Sequence, residues 1–162
     1  LGYGVLMPTY SFKSSGKIQE QLLTEQLAAA KLPVGIKTPL RLGKDEGIFE
    51  MNYNLPDQVH DNLRNLLQTN WGERLGLYAF GANLRELTTE YTNQDDFDKR
   101  AMGRISDAIK QWMPYVELET YTATYNKTDN VNTAIIQIII AYNVPSLSVT
   151  HRALEVDLYV VG

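Results

Sequence analysis

The chain has no cysteine, which removes disulfides, cysteine-ligated zinc, iron-sulfur clusters and thiol nucleophiles from consideration. Histidine is almost as scarce, at 2 of 162 residues, so imidazole chemistry has few places to sit. Long apolar runs are missing. The longest, Ala134 to Tyr142, is interrupted by Gln137 and falls well short of the roughly 18 residues that cross a bilayer; a soluble chain without membrane partners is expected. An excess of positive charge is missing too. With 15 Lys and Arg against 19 Asp and Glu, the net charge is -4, which argues against a sequence-independent grip on nucleic acid, since that grip needs clustered cations on phosphates. The first residues hold no basic segment followed by an apolar block, so no signal peptide is expected; a start at Leu1 reads as a processed or trimmed chain, and an intracellular origin fits. What is present is ordinary for a soluble domain: 44% apolar and 21% charged residues, enough to bury one core.

The pattern along the chain predicts an α+β domain, a small antiparallel or mixed sheet packed with two main helices, preceded by an extended arm and a short helix. Residues 1–34 form the arm and short helix and residues 35–162 the compact domain. Leu1 to Gly16 carries Gly, Ser, Tyr and Pro without period and reads as the arm. Ile18, Leu22, Leu23, Leu27 and Ala28 to Ala30 favour a helix that Pro33 and Gly35 end. After a turn at Gly43 to Gly47, a strand is expected around Ile48 to Tyr53. Pro56 and Asp57 then open a helix with Val59, Leu63, Leu66 and Leu67 on one face, and Gly72 is expected to close it. A second helix runs from about Gln94 to Trp112, acidic in its first turn and stopped by Pro114. Beyond Pro114 the period becomes alternating, predicting strands over Tyr115 to Tyr125, Val131 to Tyr142 and His151 to Val161. The last should bury Leu154, Val156, Leu158 and Val160 and expose Arg152, Glu155, Asp157 and Tyr159. The middle one, with Ile135, Ile136, Ile138, Ile139 and Ile140, suits a central strand covered on both faces.

Several constellations have plain structural readings. Asp57, His60 and Asp61 share one helix, but a helix N-terminus attracts acids for dipole reasons alone, so no metal site is assigned. His151 has no accompanying serine motif, which leaves no hydrolase triad. Gly16-Lys17 lacks the rest of a phosphate loop, and Gly2 and Gly4 have no preceding strand; no cofactor is expected. Tyr121, Tyr125, Tyr142 and Tyr159 sit on strands, where tyrosine is simply favoured. Glu46, Glu50, Glu73 and Glu86 are the carboxylates that sugar hydrolysis would draw on. That chemistry needs one of them protonated across a cleft, and Arg74 beside Glu73 would keep that acid ionised. Glu73 and Arg74 read either as an exposed pair of little energetic weight or as a contact with another protein.

Four blocks occur together: Asn62-Leu63-Arg64-Asn65-Leu66-Leu67-Gln68-Thr69, Gly72-Glu73-Arg74, Phe80-Gly81-Ala82-Asn83-Leu84 and Ala108-Ile109-Lys110-Gln111-Trp112-Met113-Pro114. In this order they resemble the baseplate wedge, or sheath-initiator, family of contractile phage tails and type VI-like injection machines, over about Gly35 to Val144. The resemblance implies a non-enzymatic structural protein of a virion tail baseplate, assembled in the bacterial cytoplasm. Its implied partners are wedge core proteins, sheath subunits and tail tube or hub proteins, with sixfold copies. It implies that Glu73 and Arg74 anchor the chain to the wedge. It also implies that the last strand, with Tyr159 and Val161, offers an edge on which sheath assembly starts. Asn70-Trp71 departs from the family's proline-containing approach to Gly-Glu-Arg, and Tyr115 stands where many relatives have Arg. The lysozyme-like label that some members carry leaves a peptidoglycan hydrolase, and a small regulatory binding module of the same fold, as alternatives.

Overall fold

The computed structural model describes residues 19–20, 23, 32–43, 48–89, 93–127 and 133–161, without the side chains at 127, 133, 160 and 161. The chain divides into two compact units, Leu1–Leu32 and Pro33–Gly162. The expected arm from Leu1 to Gly16 lies outside the described residues, as does most of the expected helix that follows; within it Gln19, Glu20 and Leu23 are helical.

The second unit is α+β. It begins with a short antiparallel ribbon, β1 (Gly35–Ile36) against β2 (Met51–Asn52), with Gly35 opposite Asn52. The strand expected around Ile48 to Tyr53 is therefore reduced to two residues and a bridge between Leu42 and Phe49. Helix α1 (Leu55–Gln68) starts where Asn54 Oδ1 accepts the Asp57 N–H at 2.8 Å. Pro56 in the first turn has no N–H to leave unpaired, and Asp57 meets the positive end of the helix dipole. Helix α2 (Leu84–Thr89) has no counterpart in the sequence reading. Six residues carry too few periods to reveal a helix, and it forms because Leu84 and Leu87 find the core. Helix α3 spans Gln94–Trp112, matching its expected bounds.

The remaining strands, β3 (Glu117–Lys127), β4 (Thr133–Val144) and β5 (Val149–Val161), form an antiparallel sheet in the order β3-β4-β5. All three helices contribute to one core against one sheet face. Leu63, Leu66 and Leu67 of α1, Ala101, Ile105 and Ile109 of α3, and Ile136, Ile138 and Ile140 of β4 are all buried in it. Each fully buried Leu or Ile contributes about 1.5–3 kcal/mol over leaving it exposed.

Two expectations about the sheet change. β4 is central, but its second face is not covered by any described element: Ile139 is 37% exposed and sits opposite Thr122 and Glu155. Three strands backed by one layer of helices have a single core side, and isoleucine suits the open side as well because its branched shape packs on a pleated surface. Arg152, expected on the wet face, has the same parity as Leu154 and Val156 and points to the helices. It donates to Asp57 Oδ1 at 2.7 Å. A register shift between Tyr142 and Val144, with His151 at φ 50°, marks a bulge at this end of the strand.

Candidate partner-docking site

The segment after α1 is a folded loop. Gly72 does not close the helix: α1 stops at Gln68, Thr69 takes extended dihedrals and its N–H donates to Asn65 O at 3.1 Å. Gly72, at φ 82°, serves the next turn, its N–H donating to Tyr78 O at 2.9 Å. The far end of the loop is drawn back by Ala82 N–H to Leu66 O at 3.1 Å and Asn83 N–H to Thr69 O at 3.3 Å. Trp71 Nε1 donates across the loop to Gly81 O at 3.1 Å.

Glu73 and Arg74 are adjacent in sequence and separate in role. Glu73 holds the loop: its two carboxylate oxygens accept from the backbone N–H and the Nδ2 of Asn70, each at 2.8 Å. These hydrogen bonds hold its carboxyl below the ordinary glutamate range, helped by the nearby Arg85. Asn70 Oδ1 in turn accepts the Arg85 N–H at 3.2 Å, so one side chain ties the loop to the first turn of α2. The Asn70-x-x-Glu73 spacing, resembling a capping box, is the signal by which sequence reasoning would have found Asn70. Arg74 instead lies over the Phe80 ring at 3.9 Å, and Phe80 packs edge-on against Trp112 of α3 at 5.1 Å. It makes no ion pair among the described residues. Around it the loop exposes apolar side chains: Trp71 at 47%, Leu75 at 105%, Leu77 at 45% and Tyr78 at 75%. An arginine flattened on an aromatic ring and ringed by exposed apolar groups is the composition of an interface centre.

Tyr159 lies on the open face of β5 opposite Ile135, 64% exposed. Val161 pairs with Thr133 through the backbone, and its side chain lies outside the described residues. The outer edges of β3 and β5 pair with no strand among the described residues. A groove of about 490 Å³ between α2 and β5 is lined by Asn70, Glu73, Arg85 and Tyr159, among others. Two of the four expected contact residues therefore share one concavity, while Arg74 does not line it.

The other polar constellations are tied into the fold. Asp61, 6% exposed, accepts from Thr38 N–H at 2.9 Å and Asn52 Nδ2 at 2.7 Å and faces Arg64 at 3.5 Å; it fastens the ribbon to α1. His60 Nε2 lies 3.1 Å from Arg64 and Nδ1 2.9 Å from the Tyr142 hydroxyl. A guanidinium only donates, so Nε2 accepts and Nδ1 carries the proton. Burial, then Arg152 and Arg64, lowers the His60 pKa. Among the hydrolase candidates, Glu50 pairs with Lys37 at 3.1 Å and Glu86 with Arg104 at 3.0 Å, while Glu46 lies outside the described residues. His151 Nδ1 meets Glu119 at 2.8 Å.

These features define a two-layer α+β domain with an exposed, apolar-rich loop around Arg74. The family described as Baseplate wedge protein gp25 matches residues 54–146, more than half of the chain, and the protein belongs to that family. It is thus a structural component of a tail baseplate. A chain in the sixfold-symmetrised cryo-EM structure of the anti-feeding prophage baseplate has a similar fold, at 18% identity and a TM-score of 0.56, covering 74% of this chain and 90% of that one. A crystal structure from Geobacter sulfurreducens, of a protein proposed to be a tail lysozyme, matches at 19% identity and a TM-score of 0.45, covering 66% and 91%. A comparison with curated proteins finds no match.

Proposed function

We propose that the protein is a non-enzymatic wedge component that attaches to the wedge core through the Arg74 loop and starts sheath assembly by strand pairing along β5. The observation that supports it most is the loop itself. It is braced at both ends by backbone hydrogen bonds, held by Glu73 and Asn70, and presents Arg74 on Phe80 amid exposed Trp71, Leu75 and Tyr78. Such a surface loses little conformational freedom on binding, which favours affinity. The long outer edge of β5, which pairs with no strand among the described residues, supports the second half of the reading, because an edge strand offers backbone donors and acceptors to an incoming strand and alternate side chains to set its register. The protein would then reside in the virion tail baseplate after assembly in the bacterial cytoplasm, with sheath subunits and tube or hub proteins as further neighbours.

Arg74→Ala separates docking from folding better than a change at Glu73, whose carboxylate holds the turn. Co-expressed with wedge core proteins, the variant is expected to keep its thermal unfolding midpoint while its co-purification falls by on the order of tenfold or more, as for an interface arginine worth about 2 kcal/mol. Undiminished co-purification would remove the anchoring role.

A further inference from the structure

An antiparallel sheet with one face in water ordinarily turns polar side chains to that face. The open face of the β3-β4-β5 sheet departs from this along its middle strand. Alternation with buried Ile136, Ile138 and Ile140 turns Ile135, Ile139 and Ala141 outward, with Ala153 of β5 opposite Ala141. On the β3 side the flank is neutral, with exposed Thr120, Thr122 and Thr124. On the β5 side it is acidic: Glu155 stands opposite Ile139 and Asp157 opposite Gln137. At the bulged end Glu117 lies opposite Asn143, and Glu119 meets His151 Nδ1 at 2.8 Å, a pair that links β3 to β5 across β4. Asp157 and Glu117 make no hydrogen bond or ion pair to any described residue. No Lys or Arg is among the described side chains of this face; the sheet's Arg152 points to the helices and Asp57.

Charge of one sign around an apolar strip selects the occupant. A second copy of this chain would bring carboxylates against carboxylates, and nucleic acid or anionic lipid would bring phosphates against them. A cationic protein surface is complementary. Its shape follows from the sheet: Ile135 to Ala141 runs about 20 Å along β4, the length of a helix of about 14 residues, and a helix about 10 Å across spans the distance from β3 to β5.

We propose that an amphipathic helix of a neighbouring protein lies on this face, its apolar stripe on Ile135, Ile139 and Ala141 and its Lys or Arg flanks against Glu155, Asp157 and Glu117. Asp157 is on β5 and Glu117 on β3, so the helix carries cations on both flanks. The proposal rests on the reading of this chain as an assembly component and adds a partner chemistry to it. The edge of β5 takes a strand and the face takes a helix, so both contacts fit one sheet at the same time.

The test uses the full chain, isotopically labelled, titrated at low salt with three capped peptides of about 14 residues. One has leucine along a single helical face and lysine on both flanks, the second has glutamate in place of lysine, and the third has the residues of the first in shuffled order. The lysine peptide is expected to shift the amide signals of Thr122, Ile139 and Glu155, one on each strand, and the other two to leave them in place. Asp157→Asn combined with Glu117→Gln, both at exposed positions, is expected to keep the fold and weaken the lysine peptide by about fivefold; Ile139→Thr should weaken it by about tenfold. Arg74→Ala should leave the titration unchanged, so a failure of wedge co-purification and a failure of binding on this face are read separately. Shifts confined to β5 would mean a strand on its edge in place of a helix on the face and would overturn the proposal. So would equal responses to the lysine and shuffled peptides, a doubly neutralised variant that binds as before, or a dimer of the protein alone that Ile139→Thr dissociates in sedimentation.

Discussion

Gly81→Ala tests whether the docking loop owes its shape to one backbone approach. Gly81 has φ 114°, a region costing an L residue about 1–3 kcal/mol. A Cβ there would stand 2.1 Å from Thr69 O and 2.7 Å from its carbonyl carbon, an overlap with backbone rather than with a movable side-chain end. Relieving it displaces the two hydrogen bonds that meet at this point, Asn83 N–H to Thr69 O and Trp71 Nε1 to Gly81 O, each worth about 1 kcal/mol net. The sum is about 3–5 kcal/mol. Gly76 in the same loop is the control: its φ is 79° and a Cβ would meet nothing within 4 Å, so Gly76→Ala should cost only the dihedral strain, about 1–2 kcal/mol. Urea unfolding of both variants, with slopes compared to exclude a change in the denatured state, measures the difference. Gly81→Ala is expected to be the less stable by about 2 kcal/mol and, with every exposed loop side chain unchanged, to lose capture by wedge proteins. A gap below about 0.5 kcal/mol would refute the argument from close approach.

Asp61→Ala would leave the Thr38 N–H, the Asn52 amide and Arg64 without their shared acceptor; a loss of about 3 kcal/mol is expected in chemical unfolding, together with faster hydrogen exchange at Thr38. His60 is depressed below its ordinary 6.5 by burial, with Arg152 and Arg64 adding to the effect. The unfolded chain therefore takes up this proton first on acidification. Its contribution is present above that pH and is lost as the pH falls from there towards the folded value. Urea midpoints measured from about pH 7.5 down to about pH 5.5 should drop, and His60→Gln should flatten that part of the profile. Tyr159→Ala, at an exposed strand position, is expected to change stability by less than about 0.5 kcal/mol while slowing sheath nucleation on assembled baseplates; normal nucleation would remove Tyr159 from that contact.

Much of the fold was legible because it rests on period. Val59, Leu63, Leu66 and Leu67 recur at helical spacing, Ala101, Ile105, Ala108 and Ile109 do the same, and the alternation after Pro114 marks three strands in their observed order. The two-residue strands and the short α2 escaped because they contain too few periods, and they exist only by pairing or packing. Glu73 and Arg74 stood out in the sequence because two opposite charges follow an apolar helix. Their division of labour was not, since adjacency in sequence says nothing about which neighbour each side chain meets.

The sequence by itself determined the two long helices with their core faces, the three long strands and, through four ordered blocks, the family, all of which depend on residue spacing within one element or on the order of segments. Tertiary structure alone decided that Glu73 braces the loop while Arg74 packs half-buried over Phe80, that described elements cover β4 on one side only, and that Arg152 reaches Asp57 from 95 positions away. It also brought Glu73 and Tyr159 to the walls of one groove. These outcomes depend on how far apart in the chain two groups are when they meet in space, and a local pattern holds no record of that distance.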